Sequence, residues 1–419
     1  MTILIIISVF ILAIIGTPIF AVMGGSALIN FWMDGTNLQA VVIEFYQLAS
    51  KPMLKALFLF AFAGCMLGRS KAPQRLVRLS NAILGWLPGG LAIVAIVSCA
   101  MLTSFTGASG ITIVALGGLL LPAMLKNNYT RKFSLGTITA SGSLGLLFPP
   151  SLPVILYGVI SNTNIDDLFI AGILPGALLV VVLASYAFWK GQDKHINREH
   201  FSSREVFKAL WDVKYELPLP FLVIGGIYTG MFAVSEAAVI AAAYVLIVEM
   251  LIHREVKFRI LGSVSRESAI LTGGILIILG MALAVTNYMI DAEIPNKIFE
   301  ISSEYMTSKY TFLIVLNVLL LVVGCMIDIY AATVLIVPLI LPIADRFDID
   351  PVHLGIIFLV NLGIGYVTPP VGLNLFIASI RFKESVLKLY WAALPFVLLL
   401  LLALIAITYI PQLSLVFLR

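Results

Sequence analysis

The sequence predicts an all-α polytopic membrane protein, an inverted repeat with two re-entrant helical hairpins and two helices unwound at Pro-Pro pairs. Three observations lead to this fold class: the apolar composition, the distribution of basic residues and an internal repeat. Hydrophobic residues make up 61% of the 419 residues and charged residues 11%. In soluble domains, about 45–50% of the residues are apolar and about 25% are charged. Lipid must therefore surround most of this chain.

Long uncharged runs supply the membrane segments. Residues 2–23 and 389–418 carry no charge, and each is longer than the roughly 20 residues that a helix needs to cross the bilayer core. The first run lacks a basic start and an A-x-A-like cleavage site, so we interpret it as a retained helix rather than a signal peptide. The polar stretch 190–214 predicts a surface helix, and residues 291–309 predict an amphipathic interfacial helix.

Two pairs of apolar segments, 84–105 with 106–124 and 310–326 with 328–343, are broken by small or polar residues. We interpret each pair as a re-entrant hairpin. If both pairs are re-entrant hairpins, 20 of the 26 basic residues fall on one side of the membrane and 6 on the other. This asymmetry follows the positive-inside rule and predicts a periplasmic N-terminus. It also accounts for the net charge of +4, so we expect no nucleic-acid partner.

An internal repeat gives the strongest signal. GLLFPP at 145–150 recurs as GYVTPP at 365–370, and Pro175 matches Pro395 at the same offset of 220 in the numbering. The charge distribution gives the two copies opposite orientations, and inverted repeats are common among secondary transporters. Two ordinary proline-kinked helices are the alternative, but they would not explain why the surroundings of each Pro-Pro pair repeat as well.

Each Pro-Pro pair removes two backbone donors from a helix and pushes the preceding residue out of the helical region. The carbonyl groups one turn earlier then lose their partners, which is costly in lipid unless something polar satisfies them. Unwound backbone is therefore predicted near 141–151 and 361–371, with oxygen ligands that suit a hard cation such as Na+. The predicted hairpin tips, 103–110 and 324–328, add hydroxyls and helix ends, although small residues also permit close helix packing.

Asp328 is one of few acidic residues in the apolar segments, where ionisable groups are usually functional. It could bind a cation, take up a proton or pair with a cationic substrate group; a helix cap is the alternative. For Ser109 and Asn374, helix packing is the alternative to ligand binding. The sequence has no Walker A motif and no convergent nucleophile and base. We therefore expect neither an ATPase nor an enzyme, and no cofactor.

Several motifs together resemble the large, DctM-like membrane subunit of tripartite ATP-independent periplasmic (TRAP) transporters. They are GLLFPPS at 145–151, GCMID at 324–328 and NLGIGYVTPPVGLNLF at 361–376. The resemblance covers essentially the whole chain. It implies Na+-coupled uptake of a small carboxylate across the bacterial inner membrane by an elevator mechanism. The implied partners are a small four-helix membrane subunit and a periplasmic substrate-binding protein.

The resemblance also implies the site. Sodium would be held, partly through backbone carbonyls, by Thr106, Gly107, Gly142, Gly145, Gly324, Gly365 and Thr368, to which the composition of the first tip adds Ser104. Substrate would be held by Ser109, Ser151, Asp328 and Asn374. The transport elements would be 84–160 and 310–380, and the scaffold 1–83, 161–309 and 381–419. One departure is that Ile329 and Tyr330 follow the aspartate, where the family usually has Gly-Thr.

Two alternatives stay open at this point. One is a stand-alone cation-coupled anion symporter of the same superfold, which would need no binding protein. The other is a non-transporting membrane scaffold, although a scaffold would not need two unwound helices. Sialic acid, C4-dicarboxylates and keto acids are all compatible substrates.

Overall fold

The computed structural model describes residues 17–33, 35, 39, 42–43, 45–46, 52–193, 200–292 and 308–418. Every regular element within these residues is helical. The predicted membrane helix over 2–23 lies mostly outside them, and so does the predicted interfacial helix over 291–309.

Eighteen α-helices follow one another along the described chain. The first half contains α1 (Ile19–Met33), α2 (Pro52–Arg69), α3 (Ala72–Leu84), α4 (Gly90–Thr106), α5 (Ser109–Lys126), α6 (Arg131–Ser141), α7 (Leu152–Ser161) and α8 (Ile165–Lys190). The predicted surface helix is α9 (Ser203–Asp212). The second half contains α10 (Pro218–Tyr228), α11 (Val234–Ile247), α12 (Phe258–Asp291), α13 (Lys309–Met326), α14 (Ile329–Arg346), α15 (Pro351–Gly365), α16 (Leu373–Phe382), α17 (Val386–Tyr409) and α18 (Gln412–Leu415).

The helices have the dimensions and surface of a membrane protein. Seven helical segments of the described chain are long and apolar enough to cross a bilayer, or eight if α6 and α7, which are bent by 44°, count as one span. Large apolar side chains face outward, among them Ile380 and Phe221, which are 81% and 73% exposed. Such a surface is stable in lipid and would aggregate in water, which confirms the predicted polytopic all-α class.

The helix boundaries preserve the repeat found in the sequence. Helices α5 and α14 begin at positions 220 apart in the numbering, and they also end at positions 220 apart. The first residues of α6 and α15 are related by the same offset. Ser143 donates a hydrogen bond of 2.8 Å to the carbonyl of Gly363, its own counterpart at the offset of 220. Contact between equivalent residues is what a pseudo-two-fold axis passing between them produces. An inverted repeat therefore organises the fold.

The two halves interlock rather than pack side by side. The second arm of each hairpin packs on the broken helix of the other half, α5 on α16 and α14 on α7. The long helices follow the same rule, with α8 on α15 and α17 on α6. We call the elements α4 to α8 and α13 to α17 the hairpin body. Its core is continuous across both halves.

The remaining membrane helices pair outside the hairpin body. Helix α2 packs on α11, and α1 packs on α12, while α2 and α12 also face the hairpin body. On α3, Arg75 donates from Nε to Glu216 at 2.6 Å, from Nη1 to Glu255 at 2.6 Å and from Nη2 to Glu249 at 3.3 Å. This mostly buried network ties α3 to the segments around α10, α11 and α12. We call α1 to α3 and α10 to α12 the frame.

Candidate functional site

Helices α6 and α15 stop in the middle of apolar sequence. The break after α6 runs from 142 to 151 and holds one short 3-10 turn, and the break after α15 runs from 366 to 372. Each contains its Pro-Pro pair, Pro149-Pro150 or Pro369-Pro370, with a cis peptide bond between the prolines. The unwound stretches predicted from the prolines are therefore present in both halves.

Glycines let each break lie directly against the first arm of its own hairpin. A Cβ atom added to Gly145 would lie 2.2 Å from the carbonyl oxygen of Ala100 on α4. One added to Gly365 would lie 2.5 Å from the carbonyl carbon of Gly324 on α13. Any side chain at Gly145 or Gly365 would force backbone apart from backbone. Gly145, Gly324 and Gly365, which the resemblance assigns to sodium, are thus sites of close backbone approach.

The first tip consists of Gly107 and Ala108, between α4 and α5. Gly107 has a φ of +63°, and Ala108 precedes α5 without any side-chain cap. The backbone N–H groups of Ser109, Gly110 and Ile111 have no hydrogen-bond partner among the described residues. The first tip therefore presents an open helix N-terminus.

The second tip consists of Ile327 and Asp328, between α13 and α14, and it is closed by hydrogen bonds. Asp328 caps α14: its Oδ2 accepts from the N–H of Tyr330 at 3.0 Å, and its Oδ1 accepts from the hydroxyl of Tyr366 at 2.7 Å. The N–H of Ile329 donates to the same Tyr366 hydroxyl at 2.8 Å. The helix-cap interpretation of Asp328 is therefore correct, and it leaves both oxygens near the break in α15.

One hydrogen bond joins the two tips. The hydroxyl of Tyr330 donates to the carbonyl of Gly107 at 2.8 Å. The two residues are 223 positions apart in the chain, so this contact follows from the interlocked halves. It occupies one of the carbonyl groups that the resemblance assigns to sodium.

A cavity of about 520 Å³ lies where the tips meet the frame. Small-molecule sites usually have volumes of roughly 300–1,000 Å³. Its lining combines both tips and breaks with α2, α12 and α16, through Cys65, Gly107, Ala108, Ser109, Gly110, Ile111, Leu146, Glu267, Ile270, Leu271, Gly274, Ile275, Ile278, Asp328, Ile329, Tyr330, Tyr366, Leu373 and Ile377. The charged residues in this lining are Glu267 and Asp328, and Glu267 is paired with Arg69 at 2.6 Å.

Three of the twelve predicted site residues line this cavity: Gly107, Ser109 and Asp328. Ser109 is 3% exposed, and its hydroxyl has no hydrogen-bond partner among the described residues. The other nine are not part of this lining, namely Ser104, Thr106, Gly142, Gly145, Ser151, Gly324, Gly365, Thr368 and Asn374.

Most of the predicted hydroxyl ligands bond to nearby backbone. Ser104 donates to the carbonyl of Met101 and Thr368 to that of Ile364, each at 2.8 Å, and Ser151 donates to the carbonyl of Leu146. Thr106 lies 3.3 Å from the carbonyl of Ala108 in its own tip. These hydroxyls support the broken backbone in this conformation. To bind an ion they would first have to exchange partners.

Asn374 connects the two halves of the repeat. Its Nδ2 donates to the carbonyl of Thr139 on α6 at 3.4 Å, and it lies beside Gly142. The side chain is fully buried, and its Oδ1 has no partner among the described residues. Behind the first tip, the hydroxyl of Thr103 lies 2.8 Å from the carbonyl of Gly142. The end of α6 therefore gathers buried oxygens from both halves.

Sequence reasoning missed the two tyrosines that organise the second tip. Tyr330 was noted only as a departure from the family pattern, and Tyr366 was not selected at all. Tyr366 follows Gly365 directly in the GYVTPP motif, and a phenol beside a break in an apolar helix was the available signal. The partners of the two hydroxyls, however, are far away in the chain: Gly107 is 223 positions from Tyr330, and Asp328 is 38 positions from Tyr366.

Comparisons with known proteins agree with the geometry. The family model described as "Tripartite ATP-independent periplasmic transporter, DctM component" matches residues 6–413. The isethionate TRAP transporter permease protein DctMQ of Oleidesulfovibrio alaskensis is 35% identical over 413 residues, which cover 96% of this chain and 64% of that protein. The C4-dicarboxylate TRAP transporter large permease protein DctM of Vibrio cholerae is 33% identical over 429 residues, covering 96% and 94%.

A solved structure shares the fold. The crystal structure of the Alcanivorax borkumensis YdaH transporter matches with a TM-score of 0.56 at 16% sequence identity, covering 88% of this chain and 86% of that chain. At this identity the likeness concerns the architecture alone.

Proposed function

The chain belongs to the DctM component family of tripartite ATP-independent periplasmic transporters, and from this premise we propose that it carries a small organic acid across the inner membrane by Na+ coupling. The relatives are named as transporter permease subunits and not as enzymes. The apolar helices make the chain a multi-pass membrane protein.

The observation that carries this proposal is the cavity between the two tips and the frame. Both tips contribute residues to it, and the breaks contribute Leu146 and Tyr366. Discontinuous helices that meet in mid-membrane are a recurrent arrangement for solute and ion sites in secondary transporters. A substrate here would contact both halves of the repeat at once.

Sodium would bind beside the cavity, at the ends of α6 and α15. Unwound carbonyl groups and helix C-termini are the usual sodium ligands in such transporters. The carbonyl of Gly142 and the buried, unpartnered Oδ1 of Asn374 support a site in the first half. In the second half the corresponding candidates are Gly324, Gly365 and Thr368. Coupling would follow because each ligand completes a binding site for the other.

Transport would move the hairpin body against the frame, as in an elevator. The cavity lies at the boundary between them, lined on the frame side by α2 and α12. We place α8 and α17 in the moving part because they pack on the broken helices of the opposite halves. The moving part then extends beyond the boundaries 84–160 and 310–380 expected from the sequence.

Two partners complete the proposed system. The word tripartite in the family description implies two further components, which we take to be the small membrane subunit and a periplasmic binding protein. The relatives' names give isethionate and C4-dicarboxylates as cargo. An organic anion is therefore the substrate class that we propose for this chain.

Reconstitution tests the proposal. The chain and the proposed small membrane subunit would be placed in proteoliposomes, with the proposed binding protein, loaded with labelled ligand, outside. We expect uptake only with an inward Na+ gradient, and loss of uptake when gramicidin dissipates it. Undiminished uptake with K+ in place of Na+ would refute sodium coupling. Undiminished uptake of free ligand without the binding protein would refute the three-component system.

A further inference from the structure

We infer that the cavity holds a single anionic group, at the open N-terminus of α5, and that the substrate is a small monoanion with an uncharged remainder rather than a dicarboxylate. This inference rests on the proposed function, since it assigns a substrate class to the same cavity. It follows from a difference between two positions that the repeat makes equivalent, Ala108 and Asp328.

The first tip supplies the anion site. The N–H groups of Ser109, Gly110 and Ile111 are free and belong to residues that line the cavity. The N-terminus of an 18-residue helix carries a partial positive charge of roughly half a unit. Beside it stands the Ser109 hydroxyl, on a residue only 3% exposed and without a partner among the described residues. An anionic head group would satisfy these donors together.

The second tip cannot accept a second anion, because it already holds one. Asp328 is the counterpart of Ala108 in the repeat, and its carboxylate takes the position at the α14 N-terminus that the first tip leaves empty. Both of its oxygens already accept hydrogen bonds, from Tyr366 and Tyr330. Asp328 therefore repels a further carboxylate and does not need a cationic group from the substrate.

The rest of the lining points the same way. Apart from Asp328, the charged lining residue is Glu267, which is also acidic and is paired with Arg69. Within the described residues, no lysine, arginine or histidine lines the cavity. Apart from Glu267, the side chains that α12 contributes to the lining are apolar, namely Ile270, Leu271, Ile275 and Ile278. A second carboxylate would lie against hydrocarbon or against another carboxylate, and both are unfavourable.

Matched ligands test this on the purified complex of the chain and its small membrane subunit. Binding in saturating Na+ would be measured by ligand-dependent thermal stabilisation, with mono- and dicarboxylates of equal carbon number from C3 to C6. The C4 pair would be 2-hydroxybutanoate and 2-hydroxysuccinate. We expect the monoanion of each effective pair to bind at least about tenfold more tightly, because the dianion has one charge without a partner.

Two variants locate the site. Ala108→Asp copies the cap of the second tip into the first, and we expect it to weaken monoanion binding by about tenfold or more, since its carboxylate would occupy the donors. Ser109→Ala should weaken binding by about tenfold through loss of one hydrogen bond to a charged group. Ser185→Ala is the control: its exposed hydroxyl bonds to the carbonyl of Val181 on α8, and binding should not change.

Three results would overturn the inference. They are equal or tighter binding of the dicarboxylates, a transported substrate that carries two anionic groups or a cationic group, and unchanged binding in both tip variants. In these cases the proposed organic-acid transport would still stand. If instead no organic anion bound the complex and none entered the proteoliposomes, the proposed function itself would fail. The comparison of ligands on the unaltered chain does not depend on whether Ala108→Asp folds.

Discussion

The two hairpin tips have the same length and opposite chemistry, and their backbones also differ: Gly107 has a φ of +63°, whereas its counterpart Ile327 has a φ of −125°. Each joins two helices that end and begin at equivalent positions of the repeat. The first tip leaves its helix N-terminus open and its serine hydroxyl free. The second tip fills the equivalent N-terminus with the carboxylate of Asp328 and fastens it to Tyr366. The repeat thus conserves how the chain is broken, while the side chains decide which tip is available to a ligand.

This difference suggests a division of labour between the halves. The second tip is held by hydrogen bonds both to its own half, through Tyr366, and to the first tip, through Tyr330. Among the described residues, the first tip receives one hydrogen bond from the other half, that of Tyr330. The closed tip can therefore serve as a fixed wall against which the open tip binds and orders a ligand.

The largest effect is expected at the close contact between backbone segments that both halves share, where the glycine of each break lies against the first arm of its hairpin. Gly145→Ala and Gly365→Ala should each lower stability by about 1–3 kcal/mol, the usual range for overpacking, and abolish uptake. In both cases the new methyl group meets backbone atoms, at 2.2 and 2.5 Å, and backbone cannot turn aside as a side chain can. Thermal unfolding and proteoliposome uptake measure the two effects.

Gly225→Ala is the matched control for these variants, since a Cβ atom there would meet nothing within 4 Å. Its stability and uptake should stay near those of the unaltered chain. If only one of Gly145→Ala and Gly365→Ala were harmful, the two breaks would not be equivalent. The two halves would then differ at their breaks as well as at their tips.

An intermediate effect is expected at the closed tip alone. Asp328→Ala removes the cap of α14 and the acceptor of the Tyr366 hydroxyl, which should cost about 1–2 kcal/mol of stability and most of the uptake. Asp328→Asn keeps an oxygen at the cap but removes the charge. We expect it to retain stability while uptake falls, as measured by thermal unfolding and by uptake against Na+ concentration.

The two Asp328 variants separate capping from charge. Normal uptake by Asp328→Asn would show that the carboxylate charge has no part in transport, and the closed tip would then be purely structural. Normal stability and uptake by Asp328→Ala would show that neither the cap of α14 nor the carboxylate charge is needed. The difference between the two tips would then have no effect on transport.

The smallest effect is expected from cutting the link between the tips. Tyr330→Phe removes one neutral hydrogen bond and should cost about 0.5–1.5 kcal/mol. Hydrogen exchange should rise at the hydrogen-bonded amides of Gly107, Ala108 and Thr112, because the open tip loses its tie to the second half. It should change little at 329–332, which Asp328 and Tyr366 still hold. Hydrogen-exchange mass spectrometry with peptides covering each tip makes the comparison.

Tyr244→Phe is the control for this prediction. It removes a similar hydrogen bond, from the Tyr244 hydroxyl to the carbonyl of Tyr215 at 2.8 Å, in the frame. The loss of stability should be comparable, but exchange at the first tip should not change. Equal exchange increases at both tips in Tyr330→Phe would show that the closed tip is no more firmly held than the open one.

Most of the fold could be predicted because its causes are local. The length of an apolar run fixes whether a helix can cross a bilayer, and a Pro-Pro pair stops a helix whatever surrounds it. The breaks at 142–151 and 366–372 lie close to the predicted 141–151 and 361–371. The distribution of basic residues and the constant offset between the matching motifs gave the inverted repeat without any three-dimensional information.

The site was only partly predictable for the opposite reason. Ser109, Gly107 and Asp328 were selected by their residue types and do line the cavity. Nothing in the sequence distinguishes the free hydroxyl of Ser109 from those of Ser104 and Thr368, which bond to their own helices. That difference depends on where each side chain points after the helices pack, and helix packing brings together residues far apart in the chain.

What the sequence determined by itself was therefore the all-helical membrane class, the two breaks at the Pro-Pro pairs and the repeat that relates them, since hydropathy and proline chemistry act on neighbouring residues. Only the tertiary structure decided that Tyr330 reaches Gly107, that Tyr366 fastens Asp328, and that one of two equivalent helix ends stays open. Those contacts arise where two inverted halves interlock, and hydrogen bonds between them depend on distances that a linear pattern does not contain.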